Sequence, residues 1–293
     1  MTTLPNAAVN SDAMTGEREI RFAFGKNWQR FLQHLNDDRI AEAEKSLRFM
    51  LHVEDLKGKS FLDIGCGSGL FSLAAMRLGA GKVFSFDYDP QSVACAQELR
   101  RRYFPGSDHW TIEQGSALDT SYLNRLGQFD VVYSWGVLHH TGSMWQALEN
   151  VVAPVQPEGK LFIAIYNDQG RRSVWWRKIK QLYCRSVFRR VPIIGLFGFY
   201  VIVAGFIKDV FIVRRNPLVR YREYKLNRGM SYFTDVLDWL GGYPYEVARP
   251  EAIFDFYRTR GFELVKLKTD QRFANNEFVF LKRNVSTSDE LRP

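Results

Sequence analysis

Between Phe61 and Gly69 the chain reads Phe-Leu-Asp-Ile-Gly-Cys-Gly-Ser-Gly: an apolar run ending at Asp63, then glycines at 65, 67 and 69. Glycine is needed where a backbone must turn tightly and approach a ligand with no Cβ in the way. The two-and-two spacing differs from the two-then-three spacing of a dinucleotide turn, and no lysine follows as a phosphate loop requires. A second apolar run, Lys-Val-Phe-Ser-Phe, ends at Asp87, twenty residues after Gly67. An acid at that offset, at the tip of a second strand, can accept hydrogen bonds from both ribose hydroxyls of a nucleoside. Gly115-Ser116-Ala117 closes a third run and offers a place to read a base. A fourth run, Phe129 to Ser134, opens into Trp135-Gly136-Val137-Leu138-His139-His140.

Short apolar runs must alternate with amphipathic stretches to hold these residues in place. The pattern predicts strands over 60–64, 82–86, 110–114, 129–134 and 160–166, with helices over 70–78, 91–103 and 144–152. Alternation of this kind argues for a parallel sheet covered on both faces. It stops near Asn167 and resumes around Pro250 with a helix over 251–260 and strands over 262–268 and 277–282, joined by a polar turn containing Asn275 and Asn276. The expected organisation is a polar, disordered 1–18, N-terminal helices over 19–57 that cap the site, and a core over 58–167. An insertion over 168–249, a last helix and hairpin over 250–284, and a tail over 285–293 follow.

At 293 residues with 46% hydrophobic and 15% aromatic content, the chain has ample material for a packed core and too many aromatics for a solvated coil. Three widely spaced cysteines, Cys66, Cys95 and Cys184, exclude a disulfide scaffold and fit a reducing cytoplasm. The polar first sixteen residues do not read as a signal peptide. The net charge of +8 is unevenly placed: Arg171 to Arg228 holds 15 Lys and Arg against Asp209 and Glu223, so the rest of the chain is net negative. A basic partner surface therefore belongs to that one segment.

Taken together, the glycine turn, Asp87, Gly115-Ser116-Ala117 and the Ser134–His140 stretch resemble the class I S-adenosylmethionine-dependent methyltransferases, most nearly the ubiquinone-pathway and small-molecule O-methyltransferases. The resemblance covers about 58–167 motif by motif and 250–283 more loosely. It implies a doubly wound, seven-stranded, mostly parallel Rossmann-like sheet, with the inserted helical segment placed before the last helix and hairpin. It also implies S-adenosylmethionine as cofactor. Asp63, Gly65, Cys66, Gly67 and Gly69 would hold its methionine portion, Asp87 its ribose, Ser116 and Ala117 its adenine, and Ser134 with Trp135 would line the sulfonium; Tyr88, beside Asp87, is a further cofactor-binding candidate.

Methyl transfer to oxygen also needs a proton acceptor, and an unperturbed histidine titrates near 6.5. His140 and His139, at the mouth of the fourth strand, are the candidate bases, weighed against simple packing of the following turn. The ubiquinone-pathway enzymes carry Glu-x-x-Glu-His there, which implies a metal. This chain has Gly136 and His139 where the two carboxylates stand, and its cysteines are scattered, so no metal is expected. The Asn/Asp-Pro-Pro-Tyr/Phe signature of amino-methylating relatives is replaced by Ser134-Trp135-Gly136-Val137.

The insertion interleaves arginines and lysines with Trp175, Trp176, Tyr183 and Phe188, then runs uncharged from Val191 to Ile207. That run is borderline for crossing a bilayer, which takes roughly 20 apolar residues. Three readings stand: an interfacial anchor on an anionic membrane through 171–215, a lid helix or dimer contact, and a nucleic-acid surface. Beyond it, Arg228, Asp235, Tyr243, Tyr245 and Glu246, together with Trp28 on the first helix, are acceptor-site candidates. The expectation is methylation of an oxygen on a hydrophobic or lipid-linked small molecule by a cytoplasmic enzyme, peripheral on the inner membrane face. RNA methylation and a non-catalytic partner protein are the alternatives, and the oligomeric state is open.

Overall fold

The structure, a computed structural model, describes residues 25–214, 216–217, 240–269 and 275–284. It divides into two compact units, Asn36–Gly170 with Glu246–Pro293, and Met1–Leu35 with Arg171–Tyr245. Residues 1–18 and 285–293 lie outside the described part.

The core unit is built on one seven-stranded sheet. In chain order it contains α2 (Asp37–Leu51), β1 (Ser60–Ile64), α3 (Leu70–Arg77), β2 (Lys82–Asp87), α4 (Pro90–Tyr103), β3 (Trp110–Gln114), α5 (Thr120–Arg125) and β4 (Phe129–Trp135). A single 3₁₀ turn (Leu138–His140), α6 (Met144–Asn150), β5 (Val155–Tyr166), α9 (Pro250–Arg258), β6 (Phe262–Lys268) and β7 (Asn275–Lys282) complete it. The strand order is β3-β2-β1-β4-β5-β7-β6. The first five are parallel, and β7 inserts antiparallel between β5 and β6. The expected doubly wound sheet is therefore present.

Local chemistry sets the element boundaries. Asn36 caps α2 by accepting the N–H of Arg39, and Asp37 and Asp38 face the positive end of that helix. Asp89 caps α4 by accepting the N–H of Gln91, with Pro90 pre-set for the first turn. Strands β1, β2 and β4 are buried on both faces, as continuous apolar runs in a covered parallel sheet must be. The core fills from Leu62, Phe84, Phe129, Val132, Leu161, Ile163 and Phe280 together with the inner faces of the flanking helices.

The elements depart from the sequence pattern at three places. α5, a six-residue helix capped by Asp119, is too short to show a helical period in sequence. Strand β5 starts at Val155, because Pro157-Glu158-Gly159 forms an irregularity inside the strand with Glu158 at φ 59°. Asn275 and Asn276 belong to β7, paired with Tyr166 and Ile165, and not to the turn before it. Within 19–57, α2 belongs to the core unit and α1 (Gly25–Gln33) to the other.

The second unit comprises α1, α7 (Arg171–Arg185), α8 (Val187–Ile207) and a π-helical continuation, Lys208–Val213. In it α7 and α8 form a hairpin, with the Trp176 ring edge-on to Phe197 at 5.3 Å. Cys184 donates its S–H to the Gly241 carbonyl at 3.3 Å.

Candidate cofactor and acceptor site

The glycine turn leaves β1 at the carboxyl edge of the sheet, beside the tip of β2. The N–H groups of Gly65 and Cys66 both reach the Phe86 carbonyl, at 2.8 and 3.0 Å. Gly65, Gly67 and Gly69 all have positive φ, a region costly for residues with a Cβ. At Gly65 a Cβ would stand 2.4 Å from a methyl of Val137, and at Gly69 one would stand 2.9 Å from the Ala96 side chain. Two of the three glycines are thus demanded by close approach as well as by conformation.

Asp87 is half-buried at the end of β2. Its Oδ2 accepts the N–H of Gly67 and its Oδ1 that of Asp89, both at 2.9 Å. These two bonds fix the orientation of the acid at the strand end. Burial pushes its pKa up to about 6, against the lowering effect of the two N–H donors. Tyr88 beside it is half-buried, its carbonyl accepting Gln114 Nε2 at 3.1 Å.

At the end of β3, Ser116 is half-buried and its Oγ accepts the N–H of Leu118 at 3.2 Å. Ala117 is buried and its carbonyl accepts Asn150 Nδ2. Gly115 passes so close to the Tyr122 ring that an added Cβ would lie 2.4 Å from it. Trp135, at the tip of β4, exposes 43% of its surface. The edge formed by β1, β2, β3 and β4 therefore collects Gly65, Gly67, Asp87, Ser116 and Trp135 along one rim, as parallel strands with matching ends require.

Three of the sequence candidates face inward. Asp63 is buried, and its Oδ2 accepts the Ser72 hydroxyl at 2.5 Å. Ser72 Oγ lies 2.7 Å from Ser85 Oγ, which accepts Trp110 Nε1 at 2.9 Å. This chain of four residues ties β1, α3, β2 and β3 together behind the glycine turn. Burial raises the Asp63 pKa to about 7, partly offset by the Ser72 hydrogen bond. Ser134 is also buried and donates its hydroxyl to the Ile64 carbonyl at 3.1 Å, bracing β4 against β1. Cys66 is buried, and burial drives its thiol pKa well up. Sequence reasoning missed Ser72, Ser85 and Trp110. The available signal was a serine at the centre of each of two otherwise apolar elements.

The two histidines separate. His139 is fully buried; its Nδ1 accepts the Tyr166 N–H at 3.3 Å and its ring packs 4.1 Å from that of Tyr166. That geometry takes it off the solvent-facing rim and makes it a packing residue. His140 is half-buried and stands edge-on to Tyr166 at 5.4 Å. Glu246 holds this turn: its N–H donates to the His139 carbonyl at 3.0 Å, and its Oε2 accepts the Met144 N–H at 3.0 Å, capping α6. Its role here is a brace for the His139-His140 turn, not a free acceptor contact. Gly136, also at positive φ, leaves room toward Asn275, whose Nδ2 would be 3.7 Å from an added Cβ.

The other acceptor candidates belong to the second unit or fall outside the description. Trp28 is half-buried on α1 with its ring edge-on to Phe31. Tyr243 is half-buried. Tyr245 is buried, its carbonyl accepting Arg177 Nε at 3.0 Å and its ring 5.0 Å from the Lys180 ammonium. Arg228 and Asp235 lie outside the described residues. Among the described residues no cluster of three or more His, Cys, Asp or Glu side chains is placed to hold a metal ion.

This sheet order, with a glycine turn after β1 and an acid at the tip of β2, defines a class I S-adenosylmethionine-dependent methyltransferase fold. Residues 62–161 match the family described as a methyltransferase domain. Among curated relatives, the tRNA U34 carboxymethyltransferase of Pseudoalteromonas translucida is 35% identical over 116 residues, 40% of this chain and 34% of that protein. A Ribosomal protein L11 methyltransferase of Tolumonas auensis is 46% identical over 48 residues, 16% of each chain. The chain thus matches about a third or less of the length of these relatives. Among solved structures, the magnesium protoporphyrin IX methyltransferase of Synechocystis PCC 6803 with bound SAH superposes with a TM-score of 0.52 at 13% identity, covering 88% of this chain and 95% of that one. PKMT2 from Rickettsia typhi in complex with AdoHcy gives 0.51 at 13% identity, covering 86% and 55%. These likenesses define the fold.

Proposed function

We propose that the chain transfers a methyl group from S-adenosylmethionine to an oxygen of a hydrophobic or lipid-linked small molecule. The observation that carries the cofactor assignment is the Asp87 carboxylate, oriented by the N–H groups of Gly67 and Asp89 at the mouth of a turn where Cβ atoms at 65 and 69 would collide with neighbours. A ribose diol fits the acid, and an amino-acid tail fits a turn that carries no side chain at 65, 67 and 69. Solved structures of the same fold carry SAH or AdoHcy by their own descriptions, which supports the reading.

When bound, the cofactor supplies a methyl carbon activated by its sulfonium sulfur, with a neutral thioether as leaving group. The chain's own residues then have three tasks: bind and orient both reactants, exclude water, and take the proton of the attacking hydroxyl. Asp87, Ser116 and the glycine turn do the binding. Trp135 covers the rim. His140 takes the proton, its turn fixed by the Glu246 brace and the buried His139. The experiment is calorimetric titration with S-adenosylmethionine, followed by incubation with tritiated cofactor and lysate and a phase partition. Binding lost in Asp87→Ala and label in the organic phase are expected; absence of binding by the native chain rejects the cofactor assignment.

A second reading, methylation of RNA, has one observation in its favour: two relatives of 33–35% identity are named for tRNA U34. Label in ribonuclease-sensitive material would select it.

A further inference from the structure

We infer that the α7–α8 hairpin is a monotopic membrane anchor whose partner is an anionic bilayer, entered from one side only. This inference is independent of which acceptor the site uses. Of the 22 exposed large hydrophobic residues among the described residues, 12 lie between Phe188 and Val213. Leu196, Phe199, Ile202 and Phe206 are between 52% and 73% exposed, and Phe188 is 91% exposed. One narrow stripe, through Arg190, Gly205 and Asp209, is buried. At about 100° per residue, the exposed apolar positions sweep roughly 200° of the helix surface. A second helix would cover one stripe of such an arc; a fluid apolar medium covers all of it.

Charge identifies that medium. Arg171, Arg172 and Lys178 on α7, Arg189 at the start of α8, and Lys208 and Arg214 at its far end are all exposed. Trp175 stands exposed on α7 among these charges. Cations and tryptophan flanking an apolar helix match an interface with anionic headgroups.

Length alone permits a span: Phe188–Val213 is 26 residues of hydropathy 2.1, and only 11% of its most apolar stretch is buried. Connectivity forbids it. β5 enters the insertion, and β7, which follows it, pairs with β5 from Lys160 to Tyr166. Both ends of the insertion are therefore on one side of any membrane, and a span would need a second crossing. Between Arg214 and Pro250 the longest uncharged stretch is the seven residues from Trp239 to Tyr245, far short of the roughly 20 a helix needs. α8 therefore lies within one leaflet.

The test uses the full chain and vesicles of phosphatidylcholine with or without phosphatidylglycerol. Flotation with the anionic vesicles is expected. Phe199→Asp with Phe206→Asp should abolish it, and Arg172→Gln with Lys178→Gln should weaken it about tenfold, with salt doing the same. Circular dichroism and the core's thermal transition confirm that the variants are folded. Cysteines introduced as Arg189→Cys and Arg214→Cys, read against native cysteines that are all buried, should both react with an impermeant maleimide outside sealed vesicles. Protection of one end alone overturns the single-leaflet placement. No flotation overturns the anchor. In that case a concentration-dependent dimer broken by the aspartate pair assigns α8 to a second copy, and a monomer assigns it to intramolecular burial.

Discussion

Asp87 Oδ2 accepts the main-chain N–H of Gly67 at 2.9 Å, across twenty residues of sequence. This bond fastens the tip of β2 to the middle of the turn that leaves β1, so the acid and the turn present themselves as one surface. An acceptor at this point also satisfies an N–H that no strand partner reaches. Asp87→Ala should therefore do two things at once: remove the ribose contact and loosen the turn. The expected result is loss of S-adenosylmethionine binding by at least about 100-fold, since a charge-assisted hydrogen bond contributes about 1.5–3 kcal/mol and two are involved. Isothermal titration calorimetry reads it directly; a change under threefold would remove Asp87 from the site.

Binding should also depend on pH. Ribose hydroxyls donate to the ionised acid, and burial raises its pKa to about 6. Affinity is then full above about pH 7 and about tenfold weaker at pH 5, where about a tenth of the acid is ionised. Asp87→Asn should bind weakly but with a flat profile across the same range. A profile in the asparagine variant as steep as the native one would assign the titration elsewhere.

Folding stability should move in the opposite sense. Asp63 and Asp87 have folded pKa values of about 7 and about 6, above the ordinary carboxyl value near 3.9. Between about pH 4 and pH 7 the folded chain holds more protons than the unfolded one, so these acids make stability fall as pH rises through that window. Asp63→Asn keeps an acceptor for Ser72 and removes the charge. Urea denaturation at pH 5 and pH 7.5 should show a smaller difference in this variant than in the native chain, and an unchanged difference would contradict the burial argument.

Glycine positions separate conformation from contact. Gly58 and Gly65 have nearly equal φ, 70° and 73°, yet a Cβ at 58 meets nothing within 4 Å while one at 65 meets Val137 at 2.4 Å. Gly58→Ala should cost only the backbone term, about 1–2 kcal/mol. Gly65→Ala should cost clearly more and abolish cofactor binding. Thermal unfolding of the pair decides this, and equal losses would refute the close-approach account.

The two histidines make a paired test. His139 is buried against Tyr166, so His139→Ala leaves a cavity and an unmet Tyr166 N–H and should cost about 2–4 kcal/mol of stability. His140→Ala should leave stability within about 1 kcal/mol, keep cofactor affinity, and lower methyl transfer about 100-fold or more, in line with loss of a general base. Glu246→Ala should behave as a positioning change, lowering kcat with unchanged cofactor affinity and losing about 1 kcal/mol with the α6 cap. Transfer unaffected in His140→Ala would take His140 out of the chemistry.

Much of this architecture is written in short stretches of chain. An apolar five-residue run, a glycine turn and a capped amphipathic helix each answer to local demands, namely strand burial, positive φ and unsatisfied helix ends, and so β1 with its glycine turn, β2 with Asp87 and α4 with its cap are legible one after another. The uncharged stretch within α8 is legible for the same reason. Tertiary structure decided which way polar residues point. Asp63, Ser134 and His139 turn inward because register places Ser72, the Ile64 carbonyl and the Tyr166 N–H beside them, partners 9, 70 and 27 residues away. Glu246 caps α6 from 102 residues beyond Met144. Such pairings depend on how distant elements meet, and a buried polar group takes whichever partner that meeting supplies. The apolar run from Val191 to Ile207 has one appearance in sequence whether it fills a core or faces outward; its narrow buried stripe and its wide exposed arc exist only once the chain has folded.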